Sequence, residues 1–200
     1  GIEFSANYRE RIGEFGFNIG GNFTLVKNEF TKLPDGIDYI QLNDKRISVG
    51  RPLGYFYGFK TDGIYQSDTE VPTTPGYAGA RAGDIKFVDL DGDKSLTDAD
   101  RTFLGSPIAK FYYGINLGAD YKLFDFSMLL QGVGNYTVYN GPRAGLESMN
   151  GSDNQTVAVL DRWTPTNPSK TIPRANSSYN LNTGFNDRFL ENAAFLRIKN

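Results

Sequence analysis

The chain has 200 residues, with 21 Lys and Arg against 23 Asp and Glu, so its formal net charge is −2. It contains no cysteine and no histidine, which excludes disulfides, thiolate or histidine metal sites and Ser-His-Asp catalysis. Without net positive charge or a basic run, the sequence predicts no nucleic-acid partner. Hydrophobic residues make up 39% of the chain, whereas Phe, Tyr and Gly number 15, 12 and 23. This balance favours many short strands that carry aromatic side chains.

The first segment of the chain alternates between apolar and polar residues. Apolar or aromatic side chains at positions 2, 4, 6 and 8 are separated by polar ones, which predicts a strand at about 2–10 with one face of each kind. After a short turn, a second strand at about 14–27 repeats the pattern. Each strand has roughly the ten residues that a tilted strand needs to cross a bilayer.

The same alternation returns later in the chain. It predicts strands at about 111–122 and 124–134, joined by a tight Lys122-Leu123 turn, and a fifth strand at about 193–200. Such strands are apolar only at every second position, so average hydropathy does not reveal them. We predict that the lipid-facing residues of these strands are Phe15, Phe17, Ile19, Phe23, Ile115, Leu117 and Met128.

Short and long connections between these strands alternate strictly. Two turns have only a few residues, whereas the stretches at about 29–110 and 135–192 are far longer than an ordinary loop of roughly 4–6 residues. In an up-and-down arrangement, both short turns lie at one end of the sheet and both long connections at the other. The sequence therefore predicts an all-β fold, a segment of a large antiparallel transmembrane β-barrel with two long extracellular loops.

The long loops also carry local signals of structure. In the first, Asp62-Gly63-Ile64-Tyr65 predicts a small turn. In the second, we expect a short helix that Asp153 or Asn154 caps, with Val157 and Leu160 on its inner side.

An acidic loop in the first long connection predicts a cation site. Asp89, Asp91, Asp93, Ser95 and Asp100 occupy places 1, 3, 5, 7 and 12 of a stretch that supplies only hard oxygen ligands. This chemistry suits Ca²⁺ in a structural role. Lys94 stands at the sixth place, where such loops usually have glycine, and this argues against tight binding. The alternative is a solvated acidic turn without an ion.

Two other functional interpretations remain open from the residues alone. The first is a secreted, calcium-stabilised β-sandwich that binds carbohydrate. The second is a fragment of a glycoside hydrolase, which needs two carboxylates at a set separation. Acidic residues on loops are usually solvated, so we expect no enzyme activity; the acids that such a site would draw on are Glu147, Asp153, Asp161, Asp187 and Glu191.

Several short motifs, in a fixed order, carry a resemblance to a known family. Each motif alone is a weak signal, but together they cover nearly the whole chain, and the chain resembles the SusC/RagA family of TonB-dependent outer-membrane transporters. The motifs are Val49 to Gly54, Lys60 to Tyr65, Gly83 to Asp93, Asp100-Arg101-Thr102, Leu104 to Pro107, Leu130-Gln131-Gly132, Arg162 to Pro165 with Pro168, Ile172 to Ala175, Asp187 to Leu190 and Phe195 to Asn200.

The resemblance implies that this chain is a late, C-terminal portion of a barrel in the outer membrane of a Gram-negative bacterium. The family imports large nutrients, such as oligosaccharides or peptides, and a SusD-like surface lipoprotein sits on its outer loops. Import is powered through TonB, which contacts an N-terminal region outside this chain. The plug domain and the final strands are expected outside it too. Five strands cannot close a barrel, so we expect the segment to be stable only within the full transporter.

Overall fold

The computed structural model describes residues 1–149, 153–176 and 185–199. These residues form one short helix, α1 (Gly141–Leu146), four 3₁₀ turns and four antiparallel sheets. The strands are β1 (Ile2–Ile12), β2 (Phe15–Leu25), β3 (Tyr39–Leu42), β4 (Lys45–Ser48), β5 (Tyr55–Phe59), β6 (Thr61–Ile64), β7 (Ile85–Phe87), β8 (Arg101–Gly105), β9 (Phe111–Tyr121), β10 (Phe124–Gly134), β11 (Thr137–Tyr139), β12 (Leu190–Asn192) and β13 (Phe195–Ile198).

The largest sheet has five strands in the order β1-β2-β9-β10-β13. Its first four strands have 11 residues each. All five lie within two residues of the bounds that the alternating pattern predicts, except that residue 200 falls outside the described part of the chain. We call this sheet the long sheet.

The register of the long sheet places its connections as the sequence predicts. Ile12 pairs with Phe15, Phe15 with Tyr121, and Tyr121 with Phe124, so both two-residue turns lie at one end. Leu25 pairs with Phe111 at the opposite end, from which both long connections depart. In each turn the first residue has a positive φ, 62° at Gly13 and 53° at Lys122.

The two long connections contain strands and a helix rather than irregular loops. The first contains a four-stranded sheet in the order β3-β4-β5-β8 and the two-stranded sheet β6-β7, and the second contributes β11, β12 and α1. The small turn predicted at Asp62–Tyr65 is wrong, since most of it belongs to β6, which pairs with β7. We call the described residues of 26–110 and 135–194 the loop layer.

The helix predicted in the second connection is also wrong. Residues Val157–Asp161 form a 3₁₀ turn that Thr156 precedes, and the side chains of Val157 and Leu160 are 84% and 70% exposed. In a 3₁₀ turn, residues i and i+3 lie above one another, so these two side chains point together into solvent. The α-helix lies earlier, where Asn140 accepts a hydrogen bond from the N–H of Arg143 and Pro142 stands in the first turn.

The hydrophobic core of the described residues lies in the loop layer, not in the long sheet. Tyr65, Tyr77, Ile85, Phe87 and Leu96 form one buried cluster. Leu96 belongs to the acidic loop and fixes that loop to the cluster, since its N–H also donates to the carbonyl of Pro75. None of the helices that the described residues form is long and apolar enough to cross a membrane.

Candidate functional site

The two faces of the long sheet differ sharply in chemistry. Residues opposite one another in an antiparallel pair share a face, and the register sets Ile19 opposite Leu117 and Leu117 opposite Met128. The resulting apolar face includes all seven residues predicted to face lipid: Phe15, Phe17, Ile19, Phe23, Ile115, Leu117 and Met128. The opposite face is polar, and its members include Asn7, Asn18, Asn22, Asn116, Asp120 and Gln131.

Neither face of the long sheet is covered by another layer of the described chain. Within the five strands, the only residues classed as buried are glycines: Gly16, Gly20, Gly114, Gly132 and Gly134. A β-sandwich requires a second sheet to bury one face of the first. The described residues therefore do not form such a sandwich by themselves, and large apolar side chains such as Ile19 and Phe126 are 47% and 55% exposed.

The glycines of the long sheet lie beneath long side chains of neighbouring strands. On the apolar face, a Cβ on Gly132 would lie 2.0 Å from Cζ of Tyr113. On the polar face, Cβ atoms on Gly20 and Gly118 would each lie 2.3 Å from the side-chain oxygens of Asn7 and Asn18. At these three positions, any larger residue would force the overlying ring or carboxamide to move.

The acidic loop brings together three of the five predicted metal ligands. Asp89, Asp91 and Asp93 each place a carboxylate oxygen within 4.8 Å of the other two. Oxygen atoms at such separations match the coordination of a hard cation with several ligands at about 2.3–2.6 Å. The loop is held by its own side chains, since Asp93 accepts a hydrogen bond from the N–H of Ser95 at 2.7 Å.

Asp100 lies beneath this group rather than in it. Its side chain is fully buried, and its two oxygens accept hydrogen bonds from the N–H groups of Leu90 and Thr97, both at 2.8 Å. The second of these bonds belongs to a capping box at a 3₁₀ turn. The structure therefore gives Asp100 a supporting position, which differs from the ligand role that the spacing predicts.

Lys94 makes the turn that glycine usually makes. Its φ is 65°, in the left-handed region that costs a non-glycine residue about 1–2 kcal/mol. Its N–H donates to Asp89 at 2.9 Å, and its carbonyl accepts a hydrogen bond from the hydroxyl of Thr74. These two backbone hydrogen bonds offset part of the strain at Lys94.

The electrostatics of the loop are unfavourable without a counter-charge. A hydrogen bond from the N–H of Asp93 favours the charged form of Asp91, but desolvation and the charges of Asp93, Asp100 and Asp89 outweigh it. The pKa of Asp91 is therefore raised above its ordinary value.

A buried ion pair joins the two long connections. Nε of Arg174 lies 2.8 Å from Asp84 Oδ1, and the Arg174 Nη2 donates to Asp84 Oδ2 at 3.1 Å. The Asp84 side chain is 1% exposed and that of Arg174 is 17% exposed. Next to the pair, the Arg174 N–H donates to the carbonyl of Gly83, and the Trp163 indole packs against Gly83. We call these four residues the interloop latch.

A second group of charges holds α1 against the end of the second connection. Glu147 lies between Arg143 and Arg188, at 2.9 Å and 3.1 Å, and its side chain is 8% exposed. Arg143 also reaches Glu191 at 3.1 Å. Burial lowers the pKa of Arg188 more than the nearby charge of Glu147 raises it.

The comparisons with known proteins cover the whole chain. No protein-family model matches it. The TonB-dependent receptor P3 of Formosa agariphila is 32% identical over 100% of this chain and 21% of its own length. The TonB-dependent receptor SusC of Bacteroides thetaiotaomicron is 26% identical over 100% of this chain and 19% of its own length. Among solved structures, the RagAB peptide transporter superposes with a TM-score of 0.77 at 22% identity, over 98% of this chain and 21% of that one.

Along its whole length the chain is similar to TonB-dependent receptors, SusC among them. It spans about a fifth of the length of the curated relatives it matches. The structural likeness to RagAB confirms the fold class, a segment of an antiparallel barrel.

The contacts of the carboxylates considered for glycoside hydrolysis, and the names of the relatives, bear on the enzyme interpretation. Glu147 and Glu191 are engaged by arginines, and Asp187 accepts a hydrogen bond from the N–H of Thr61 at 2.9 Å. The two relatives named above are called TonB-dependent receptors.

Gly83 of the interloop latch is the basis of one prediction. Its φ is 88°, and a Cβ there would lie 2.4 Å from Cε3 of Trp163. We expect Gly83→Ala to destabilise the loop layer by about 2–4 kcal/mol, from left-handed strain plus displacement of a packed ring. Hydrogen exchange of the amides of 83–85 in the full-length protein measures the change.

Gly79→Ala is the matched control for this variant. Its φ is 79°, but nothing lies within 4 Å of a Cβ at that position. This variant carries the backbone strain alone, about 1–2 kcal/mol. Equal effects of the two substitutions would mean that Trp163 does not pack on Gly83 as described.

Proposed function

We propose that the chain forms a late part of the barrel of an outer-membrane importer in a Gram-negative bacterium. The observation that carries this is the two-faced long sheet, whose apolar face is uncovered and whose long connections depart from one end. An apolar face without a covering layer is unstable in water but is what lipid requires. The seven residues predicted to face lipid would then contact hydrocarbon.

The dimensions of the long sheet support a membrane-spanning role. Eleven residues at about 3.3 Å each give a strand of roughly 36 Å, which a tilt of about 40° reduces to roughly 28 Å along the membrane normal. This matches a hydrocarbon core of about 30 Å. The loop layer would then lie outside the cell and the two short turns in the periplasm.

The proposed cargo is a large nutrient, either an oligosaccharide or a peptide. The name of the RagAB peptide transporter and that of the receptor SusC support import as the activity of the whole protein. We further propose that the loop layer contributes to the contact with a SusD-like surface lipoprotein, and that TonB energises import through a region outside this chain.

Uptake by living cells tests the proposed activity. Deletion of the gene for the full-length protein should abolish energised uptake of one labelled oligosaccharide or peptide, and dissipating the proton gradient in the parent strain should have the same effect. If uptake of every cargo in a panel of glycans and peptides survives the deletion, the import proposal fails.

Single cysteines introduced into this chain, which has none of its own, test the proposed orientation in a full-length protein from which any other cysteine has been removed. Leu123, in a short turn, is 97% exposed, and Val157, in the loop layer, is 84% exposed. With a membrane-impermeant maleimide on intact cells, the full-length protein with Val157→Cys should be labelled and that with Leu123→Cys should not, while both label after lysis. Labelling of Leu123→Cys alone would reverse the proposed orientation.

We also propose that the acidic loop binds Ca²⁺ as a structural ion. Asp89, Asp91 and Asp93 would supply carboxylate oxygens and Ser95 its carbonyl, while Asp100 supports the loop from below. The cation would supply the counter-charge that the three carboxylates lack, and it would hold the loop on the core cluster through Leu96.

Calorimetric titration of the full-length protein with Ca²⁺ tests this proposal. Asp91→Asn together with Asp93→Asn should weaken binding by roughly tenfold or more for each lost charge. Lys94→Gly should tighten it, because it removes both left-handed strain and a nearby positive charge. The control is Asp98→Asn, on an exposed side chain paired with Arg101, which should leave affinity unchanged. Absence of Ca²⁺ binding to the parent protein would refute the proposal.

A further inference from the structure

We propose that a cavity in the loop layer binds a carboxylate that carries a short apolar group. The cavity has a volume of about 450 Å³ and lies where the two long connections meet. One wall comes from β6 and β7, another from 170–172, and the base from α1 and the 3₁₀ turn Asp187–Phe189.

Arg188 gives the base of the cavity its anion-binding character. Its side chain is 10% exposed, and its guanidinium makes a single side-chain hydrogen bond, from Nη2 to Glu147 Oε2 at 3.1 Å. Within the described residues, no acceptor engages its Nε or Nη1. A guanidinium presents five donors in a planar fork that matches a carboxylate. Arg188 is buried, lines the cavity and has unused donors, so it can bind the carboxylate of a ligand.

The charges that line the cavity do not balance. Among the lining residues, Arg143, Arg188 and Lys170 carry three positive charges and Glu147 carries one negative charge. Glu191, outside the lining, lies 3.1 Å from Arg143 and offsets a second positive charge, so an excess of one remains. Lys170, at the exposed rim, has no carboxylate within ion-pair distance among the described residues, whereas Glu147 already neutralises part of the arginine charge. The excess positive charge favours an anion, and the presence of Glu147 favours a single negative charge over a dianion.

The walls define the rest of the ligand. Ile64 and Ile85 are 8% and 2% exposed, and both line the cavity together with Ile172. These side chains offer no hydrogen bonds, so a polar group placed against them would lose its solvation without compensation. A ligand with a carboxylate at one end and a small aliphatic group at the other satisfies both surfaces. A free acid and the C-terminal residue of a peptide share this chemistry.

Ligand-observed NMR on the purified full-length protein tests the proposal with N-acetyl-leucine as the probe. A ligand of this size should bind with a Kd on the order of 1 mM or below. N-acetyl-leucinamide, which keeps the shape but lacks the charge, should bind at least about tenfold more weakly. Equal binding of acid and amide, or no binding of the acid, would overturn the proposal.

Two variants locate the binding. Arg188→Gln should weaken binding of the acid by about 10–100-fold, because it removes charge-assisted hydrogen bonds. Lys170→Gln changes an exposed side chain at the rim, so folding should persist while affinity falls by roughly fivefold. The exposed Lys199, remote from the cavity lining, provides the control Lys199→Gln, which should leave the Kd unchanged. Unchanged affinity in both Arg188→Gln and Lys170→Gln would contradict the assignment.

A tripeptide separates the two sources of the ligand. Tighter binding of Ala-Ala-Leu than of N-acetyl-leucine, lost on C-terminal amidation, would assign a peptide chain end. Binding of N-acetyl-leucine alone would assign a free acid, and both results support the site. This assay needs neither TonB nor a membrane gradient, so its failure leaves the import proposal standing. Conversely, uptake that survives deletion of the gene, together with retained binding of the acid, would refute the import proposal alone.

Discussion

Replacing Asp84 with Asn should destabilise the loop layer by about 3–5 kcal/mol, one of the two largest effects expected in this chain. In the parent protein, both carboxylate oxygens of Asp84 contact the guanidinium of Arg174. The substitution leaves this largely buried guanidinium without its counter-charge. It should detach the second long connection from the first, since Trp163 and Arg174 hold the two together. Faster hydrogen exchange of 83–85 and 163–174 in the full-length protein would report the opening.

The exposed ion pair between Lys86 and Asp62 is the control for this experiment. Its atoms are 3.0 Å apart, but its side chains are 46% and 57% exposed, so water already solvates both charges. Asp62→Asn should cost less than about 1 kcal/mol. Adding Arg174→Met to Asp84→Asn should recover part of the loss, because the unpaired buried charge is removed. An Asp84→Asn effect as small as that of Asp62→Asn would contradict the latch.

Leu117→Arg should lower the stability of the folded barrel by about 2–4 kcal/mol. Leu117 lies near the middle of β9 on the apolar face, opposite Ile19 on one side and Met128 on the other. An arginine there would place a charge near the bilayer midplane. The folded fraction of the full-length protein in lipid vesicles, read from the heat-dependent shift in electrophoretic mobility of barrels, measures the loss across a urea series.

The adjacent Asn116 provides the matched control. It occupies the same strand and depth but lies on the polar face, opposite Gly20 and Leu129. Asn116→Arg should change stability by less than about 1 kcal/mol, because its charge stays on the side away from lipid. A larger loss for Asn116→Arg than for Leu117→Arg would show that the two faces are assigned the wrong way round.

The long sheet follows from the sequence because its strands carry a simple physical signal. A strand with one face in an apolar medium must alternate with a period of two. Phe15, Phe17 and Ile19 are separated by Gly16 and Asn18, and β9 and β10 repeat this pattern. A register shifted by one residue would split the apolar residues between the two faces, and the short turns exclude larger shifts within each hairpin. Strict alternation of short and long connections then fixes which end carries the loops.

The strands of the loop layer could not be predicted in the same way. β5 is buried by contacts between segments far apart in the chain, so it lacks clean alternation; Tyr55 and Phe56, adjacent in β5, are both buried. β7 does alternate, but its three residues are too few for a clear signal. One partner of β5 is also distant in the sequence, since β5 pairs with β8. Local signals did exist for α1, where Asn140-Gly141-Pro142 combines an N-cap with proline in the first turn.

The spacing of residues in the acidic loop predicts part of the geometry of that loop but not all of it. Spacing correctly brings Asp89, Asp91 and Asp93 together. It does not reveal that Asp100 caps a buried 3₁₀ turn, because that depends on how the chain folds back onto Leu90. The interloop latch and the cavity at Arg188 were missed for the same reason: each joins residues about 40–100 positions apart.

Oxygen accessibility of spin labels along β9 tests the central claim most directly. Labels placed one at a time at positions 111–121 of the full-length protein in lipid vesicles should show oxygen collision rates with a period of two. Maxima are expected at 113, 115, 117 and 119, where the apolar face meets hydrocarbon, and minima at the positions between them. A profile without alternation, or one with its maxima at 112, 114, 116 and 118, would contradict the account.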